Sequence, residues 1–156
     1  FLSWLQAHGS WSPYRAEYII YDENEQIAGQ VDSLWFDENG KIVMVGWKRC
    51  RQLLTGDLSQ QTQQVFNSRR GLVACGNSSL PGPCRDLFDV SYNHYLAQQT
   101  LHAHILNPRY GCNVARLLLV QCHPEVTNDY REVELTYDPA FAHAMLQACR
   151  HGWCAR

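Results

Sequence analysis

Hydrophobic and polar positions along this 156-residue chain fall into two periodicities, and the change from one to the other outlines the fold. Residues 15–22 (RAEYIIYD), 27–36 (IAGQVDSLWF) and 41–48 (KIVMVGWK) are rich in β-branched and aromatic residues, which predicts three consecutive strands. Glu23-Asn24-Glu25-Gln26 and Asp37-Glu38-Asn39-Gly40 separate them, and the Asn-Gly step suits a hairpin because both residues tolerate positive φ. Three charged residues interrupt this apolar meander: Glu17, Asp32 and Lys48. Two carboxylates and a lysine gathered at one edge are what metal-assisted phosphodiester hydrolysis requires.

Elsewhere the period is helical. Residues 1–8 predict a short helix with Phe1, Trp4, Leu5 and His8 on one stripe, broken by Gly9-Ser10-Trp11-Ser12-Pro13. Residues 92–107 (YNHYLAQQTLHAHILN) carry the clearest helical pattern, with Tyr95, Leu96, Gln99, His102, Ala103 and Leu106 at three- and four-residue spacing, closed by Asn107-Pro108 and Gly111. A weaker helical segment is expected within Leu53–Phe66, and the turn-rich segment 71–86 reads as a loop. Residues 113–122 (NVARLLLVQC) predict an apolar central strand ended by His123-Pro124, and 130–136 (YREVELT) an alternating edge strand. Asp138 as N-cap and Pro139 in the first turn open a last helix that runs to about Arg150.

The run from Arg15 to Arg49 resembles the core of the PD-(D/E)XK nuclease superfamily, near its RecB-like exonuclease branch. Gly29-Gln30-Val31-Asp32 and Gly46-Trp47-Lys48 stand at the family's spacing for Gly-x-x-Asp and (Asp/Glu)-x-Lys. Gln98-Gln99-Thr100-Leu101-His102 is similar to its Gln-x-x-x-Tyr helix motif, with Gln98 at the glutamine and His102 at the tyrosine. The resemblance covers about residues 8 to 138 and departs from the pattern at Gly46, where the family keeps an acid, and at His102.

It implies an α/β (α+β) fold with a restriction-endonuclease-like αβββαβ core, a mixed central sheet flanked by helices, and Mg²⁺- or Mn²⁺-dependent cleavage of nucleic acid, with DNA favoured over RNA but not distinguished from it by the sequence. Under it Asp32 is the principal metal ligand, Glu17 a second, Lys48 the catalytic lysine, and Gln98 the residue that steadies the lysine or the scissile strand. His8 and the backbone carbonyl of Trp47 are further metal-ligand candidates. The missing carboxylate at Gly46 opens a second class, a degenerate nuclease fold that binds nucleic acid or a protein partner without cutting. Glycine inside a strand costs stability and marks a bulge or a close approach, so Gly46 reads as the replacement of a functional residue.

Composition narrows the setting. Apolar residues make up 46% and charged residues 18%, as in a single globular domain over residues 1–156. Net charge is −2, so no global basic field announces a nucleic-acid partner. Lys48, Arg49, Arg51, Arg69, Arg70 and Arg85, with only Asp57 acidic among them, form a local basic segment. Arg49, Arg51, Arg69 and Arg70 are its candidate nucleic-acid contacts; the bland alternative is a solvated face.

Seven cysteines with no Cys-x-x-Cys pair fit reduced thiols inside a cell. No apolar run reaches the roughly 18 residues that span a bilayer. The expectation is an intracellular, soluble domain with no membrane partner. The first residue is Phe1, which suggests part of a longer protein with further domains. Cys149-x-His151-x-x-Cys154 offers a partial metal-ligand set, against a default of free thiols.

Overall fold

The computed structural model describes residues 1–50, 91–124 and 129–150. The expected helix within 53–66, the loop 71–86, Arg51, Arg69, Arg70, Arg85, His151 and Cys154 lie outside the described residues.

Helix α1 (Leu2–Ala7) leads into strands β1 (Ser12–Asp22), β2 (Ile27–Phe36) and β3 (Ile42–Lys48), then helix α2 (Ser91–Tyr110), β4 (Val114–Gln121), β5 (Arg131–Leu135) and helix α3 (Pro139–Arg150). The result is an α+β fold: among the described residues, one five-stranded mixed sheet in the order β1-β2-β3-β4-β5 with three helices. β1, β2 and β3 form an antiparallel meander, β3 and β4 run parallel, and β5 returns antiparallel to β4.

Strand alternation sorts the core into two clusters. Ile42 and Met44 belong to the cluster under α2, with Ile20, Leu34, Ala103, Leu106, Leu117 and Leu119. Val43 and Val45 point the other way and pack with Trp4, Trp35, Leu118 and Val120. On the α2 side, α3 packs against α2, buries Ala142, Met145 and Leu146, and ties back to the β1–β2 turn by the Arg150–Glu25 pair. Asp138 Oδ1 accepts from the Ala140 and Phe141 N–H groups, as an N-cap should.

Two boundaries differ from the sequence reading. β1 begins at Ser12, and Pro13 is accommodated because β1 is an edge strand with a register shift between Pro13 and Arg15. Helix α2 runs through Asn107-Pro108 to Tyr110. Pro108 gives up the N–H bond to the turn before it and crowds the carbonyl four residues back, a cost confined to the last turn of the helix. Gly111 at φ 63° stops the helix instead, and Cys112 N–H donates back to Leu106 O at 3.2 Å.

Candidate functional site

The site lies where β2 and β3 part company beneath α2. Their pairing runs from Phe36↔Ile42 to Ser33↔Val45, and continuing the register sets Asp32 opposite Gly46. At that point a side chain takes over from the ladder: Asp32 Oδ2 accepts the Trp47 N–H at 2.8 Å. β3 stays paired with β4 as far as Lys48↔Gln121, so Lys48 is held on a rigid strand.

β2 also turns over here. Val31 and Leu34 belong to one cluster although they are three residues apart, which a regular strand does not allow. Across from it, Glu17 adopts φ 48°, in a register position opposite Asp32 between the pairs Ala16↔Ser33 and Tyr18↔Val31.

Lys48 Nζ lies 3.4 Å from Asp32 Oδ2 and 4.9 Å from the centroid of the Tyr95 ring on α2. Its side chain is 13% exposed and that of Asp32 31%, so the pair opens to solvent on the carboxylate side. The aromatic face and the carboxylate together fix the direction of the ammonium.

Two strand glycines flank Asp32, and each receives a polar side chain from α2. A Cβ added at Gly46 would lie 2.5 Å from Gln99 Nε2 and 3.2 Å from Leu119 Cδ2. One added at Gly29 would lie 2.5 Å from His102 Nε2. Gln99 and His102 are three residues apart and so share one helix face. Both are buried, at 2% and 7% exposure. Among the described residues Gln99 Oε1 and His102 Nδ1 have no hydrogen-bond partner. Burial pulls the His102 imidazole below its ordinary value of 6.5, while Asp32 pushes it up and Lys48 down.

The expected residues therefore have distinct fates. Asp32 and Lys48 come together. Glu17 is exposed and its carboxylate is held by Gln30 Nε2. Trp47 meets Asp32 through its N–H. Arg49 is exposed just beyond β3. His8 lies on the opposite face of the sheet: its Nδ1 bonds Trp4 O at 2.9 Å, its Nε2 is 3.4 Å from Glu132 Oε2, and its ring stacks on Trp4.

Gln98 is exposed, and its neighbour Gln99 is the glutamine turned into the sheet. A single residue is 100° of helical phase, enough to separate the two. Gln99 was visible in the sequence only as part of an amphipathic stripe; the signal for its role is a glutamine and a histidine three apart facing two strand glycines.

The donor set does not fit the acidic metal centre implied by the family pattern. Position 46 supplies no oxygen, its side-chain space is held by a neutral carboxamide, and Asp32 Oδ2 is already engaged by Trp47 and Lys48. No described helix is long and apolar enough to cross a membrane. No protein-family model and no curated protein matches the chain.

Proposed function

We propose that this chain is a nucleic-acid-binding domain of the PD-(D/E)XK nuclease type whose phosphodiester site no longer supports metal-dependent cleavage. The strand order 1-2-3-4-5, with β2 and β5 opposed to the rest and α2 crossing between parallel β3 and β4, supports the nuclease-type αβββαβ core. So does an aspartate and a lysine meeting where β2 and β3 separate. The observation that carries the loss of cleavage is Gln99 in the space of a side chain at position 46.

In this reading Lys48, with its direction fixed by Asp32 and Tyr95, donates to a backbone phosphate of DNA. Arg49 extends the contact, and Arg51, Arg69 and Arg70, outside the described residues, are the further basic residues of the sequence segment that would add to it. Such contacts position a phosphodiester without reading its sequence and weaken as salt rises.

A second reading, an active Mg²⁺- or Mn²⁺-dependent deoxyribonuclease, is favoured by one observation: Glu17 stands opposite Asp32 in register. Magnesium is commonly held by one or two carboxylates with substrate phosphate and water.

Labelled single- and double-stranded DNA, incubated with the protein and Mn²⁺, separates the two. The expected result is a salt-sensitive gel shift without cleavage, weakened in a Lys48→Ala/Arg49→Ala variant. Mn²⁺-dependent cleavage that disappears in Asp32→Ala overturns the first reading in favour of the second. Absence of any binding removes both.

A further inference from the structure

The fit between β3 and α2 carries a consequence that rests on the nuclease-type reading of the site. Gly46 and Gln99 are far apart in sequence, yet the carboxamide sits where the first side-chain atom of a residue at 46 would lie. Gln99 is 2% exposed and its Oε1 is unpartnered among the described residues, an expensive arrangement for a side chain that serves packing alone. Leu119 bounds the same space from β4, so there is room for one side chain and not for two.

We propose that positions 46 and 99 share a single side-chain space beside Asp32, and that Gln99 occupies it in place of the missing residue and keeps it uncharged. Its corollary is that a carboxylate delivered from either backbone completes a divalent-cation site with Asp32. From the helix, Gln99→Glu places it there with almost no change of shape. From the strand, Gly46→Asp does so only when Gln99 is cut back to Ala.

The geometry makes the two routes unequal. Gly46→Asp alone sets its Cβ against Gln99 Nε2, and the whole buried amide must move. Gln99→Glu replaces one amide nitrogen by oxygen, and the new charge lies near Lys48 as well as Asp32. The ammonium partly offsets that charge when no metal is present; a divalent ion offsets it further, because hard cations take carboxylate oxygens.

A double-mutant cycle and Mn²⁺ calorimetry test this together. Urea midpoints of the native protein, Gly46→Asp, Gln99→Ala and the pair should be non-additive, the double variant being more stable than Gly46→Asp. Gln99→Glu and the Gly46→Asp/Gln99→Ala pair should each bind one Mn²⁺ at least about ten-fold more tightly than the native protein, since each adds a carboxylate beside Asp32 on the α2 side. Adding Asp32→Asn should abolish the gain.

Additive midpoints overturn the shared space. Native-like Mn²⁺ affinity in both carboxylate variants overturns the latent cation site, as does failure of both to fold even with Mn²⁺ present. Neither measurement uses nucleic acid. A native protein that shows no gel shift, with non-additive midpoints and Mn²⁺ gain intact, removes only the binding function and leaves this inference standing.

Discussion

The two faces of the sheet bury polar groups by opposite rules. On the α1 side, tryptophans dominate and their N–H groups are satisfied. Ser33 Oγ accepts from Trp35 Nε1 at 3.0 Å and Trp47 Nε1 at 2.9 Å, and donates to Val45 O at 3.3 Å, which uses a hydroxyl's whole capacity. Trp4 Nε1 donates to Glu132 and Trp11 Nε1 to Glu38. On the α2 side, Gln99 and His102 are pressed into glycine hollows, and Gln99 Oε1 and His102 Nδ1 have no partner among the described residues. The first face is built for stability, and the second tolerates a local cost around Asp32 and Lys48. A buried polar group without a partner calls for an explanation beyond packing.

Substitutions can break that contrast. Trp35→Ala strikes the satisfied face hardest: it removes a buried ring and one of the Ser33 donors. A loss of about 3–5 kcal/mol is expected from chemical denaturation. An equal loss from Gln99→Ala would erase the distinction between the faces.

Gly29→Ala is next. Its methyl meets His102 Nε2 at 2.5 Å and Cδ2 at 2.9 Å, and overpacking of this kind costs about 1–3 kcal/mol. Gly29→Ala/His102→Ala should recover part of it, and a cycle without coupling would show that the ring can simply step aside. Ser33→Ala leaves two indole N–H groups without their acceptor, at a cost on the order of 1–3 kcal/mol.

Smaller effects appear as pH dependence. His102 in the folded protein titrates below 6.5, so the unfolded chain binds the extra proton first. Stability therefore falls as pH drops below about 6.5 and stops falling once the folded group protonates. Urea midpoints at about pH 7.5 and about pH 5 should show this slope, and His102→Asn should flatten it.

The smallest concerns Asp22, whose carboxyl is held below 3.8 chiefly by Arg109, which bonds it at 2.8 Å, with help from the Glu25 and Asn24 N–H groups. Its contribution is present above that value and lost as pH falls through the folded pKa. Arg109→Gln should destabilise at neutral pH and converge on the native protein in acid; a constant difference would assign the effect to packing.

How much of this was legible in the sequence follows the range of the interactions involved. The meander, α2 and β4 were readable because each declares itself through a local period, with Asn39-Gly40 and Asp138-Pro139 as punctuation. Asp32 and Lys48 stood out as charges in apolar strands. Gln98 and Gln99 could not be separated, because adjacent helix residues differ only in phase and phase is fixed by what the helix packs on. The tryptophan face was invisible as a unit: Trp4 comes from α1, Trp11 from the segment before β1, Trp35 from β2 and Trp47 from β3, and nothing local marks Ser33 as the acceptor that Trp35 and Trp47 share. His8 was drawn toward the metal by its residue type, and its stacking on Trp4 could be known only from the fold.

The parallel pairing of β3 with β4 also sets an order in time. The turns that close β1 on β2 and β2 on β3 are a few residues long, so the meander can form while the chain is still searching. Gln99 follows Gly46 by 53 positions, and bringing them together requires α2 to dock and β4 to find its place beside β3. Loop closure over that distance comes before the contacts that reward it, and topologies of this kind fold more slowly. Asp32 and Lys48 are thus brought near each other early, while the hollow at Gly46 is filled late.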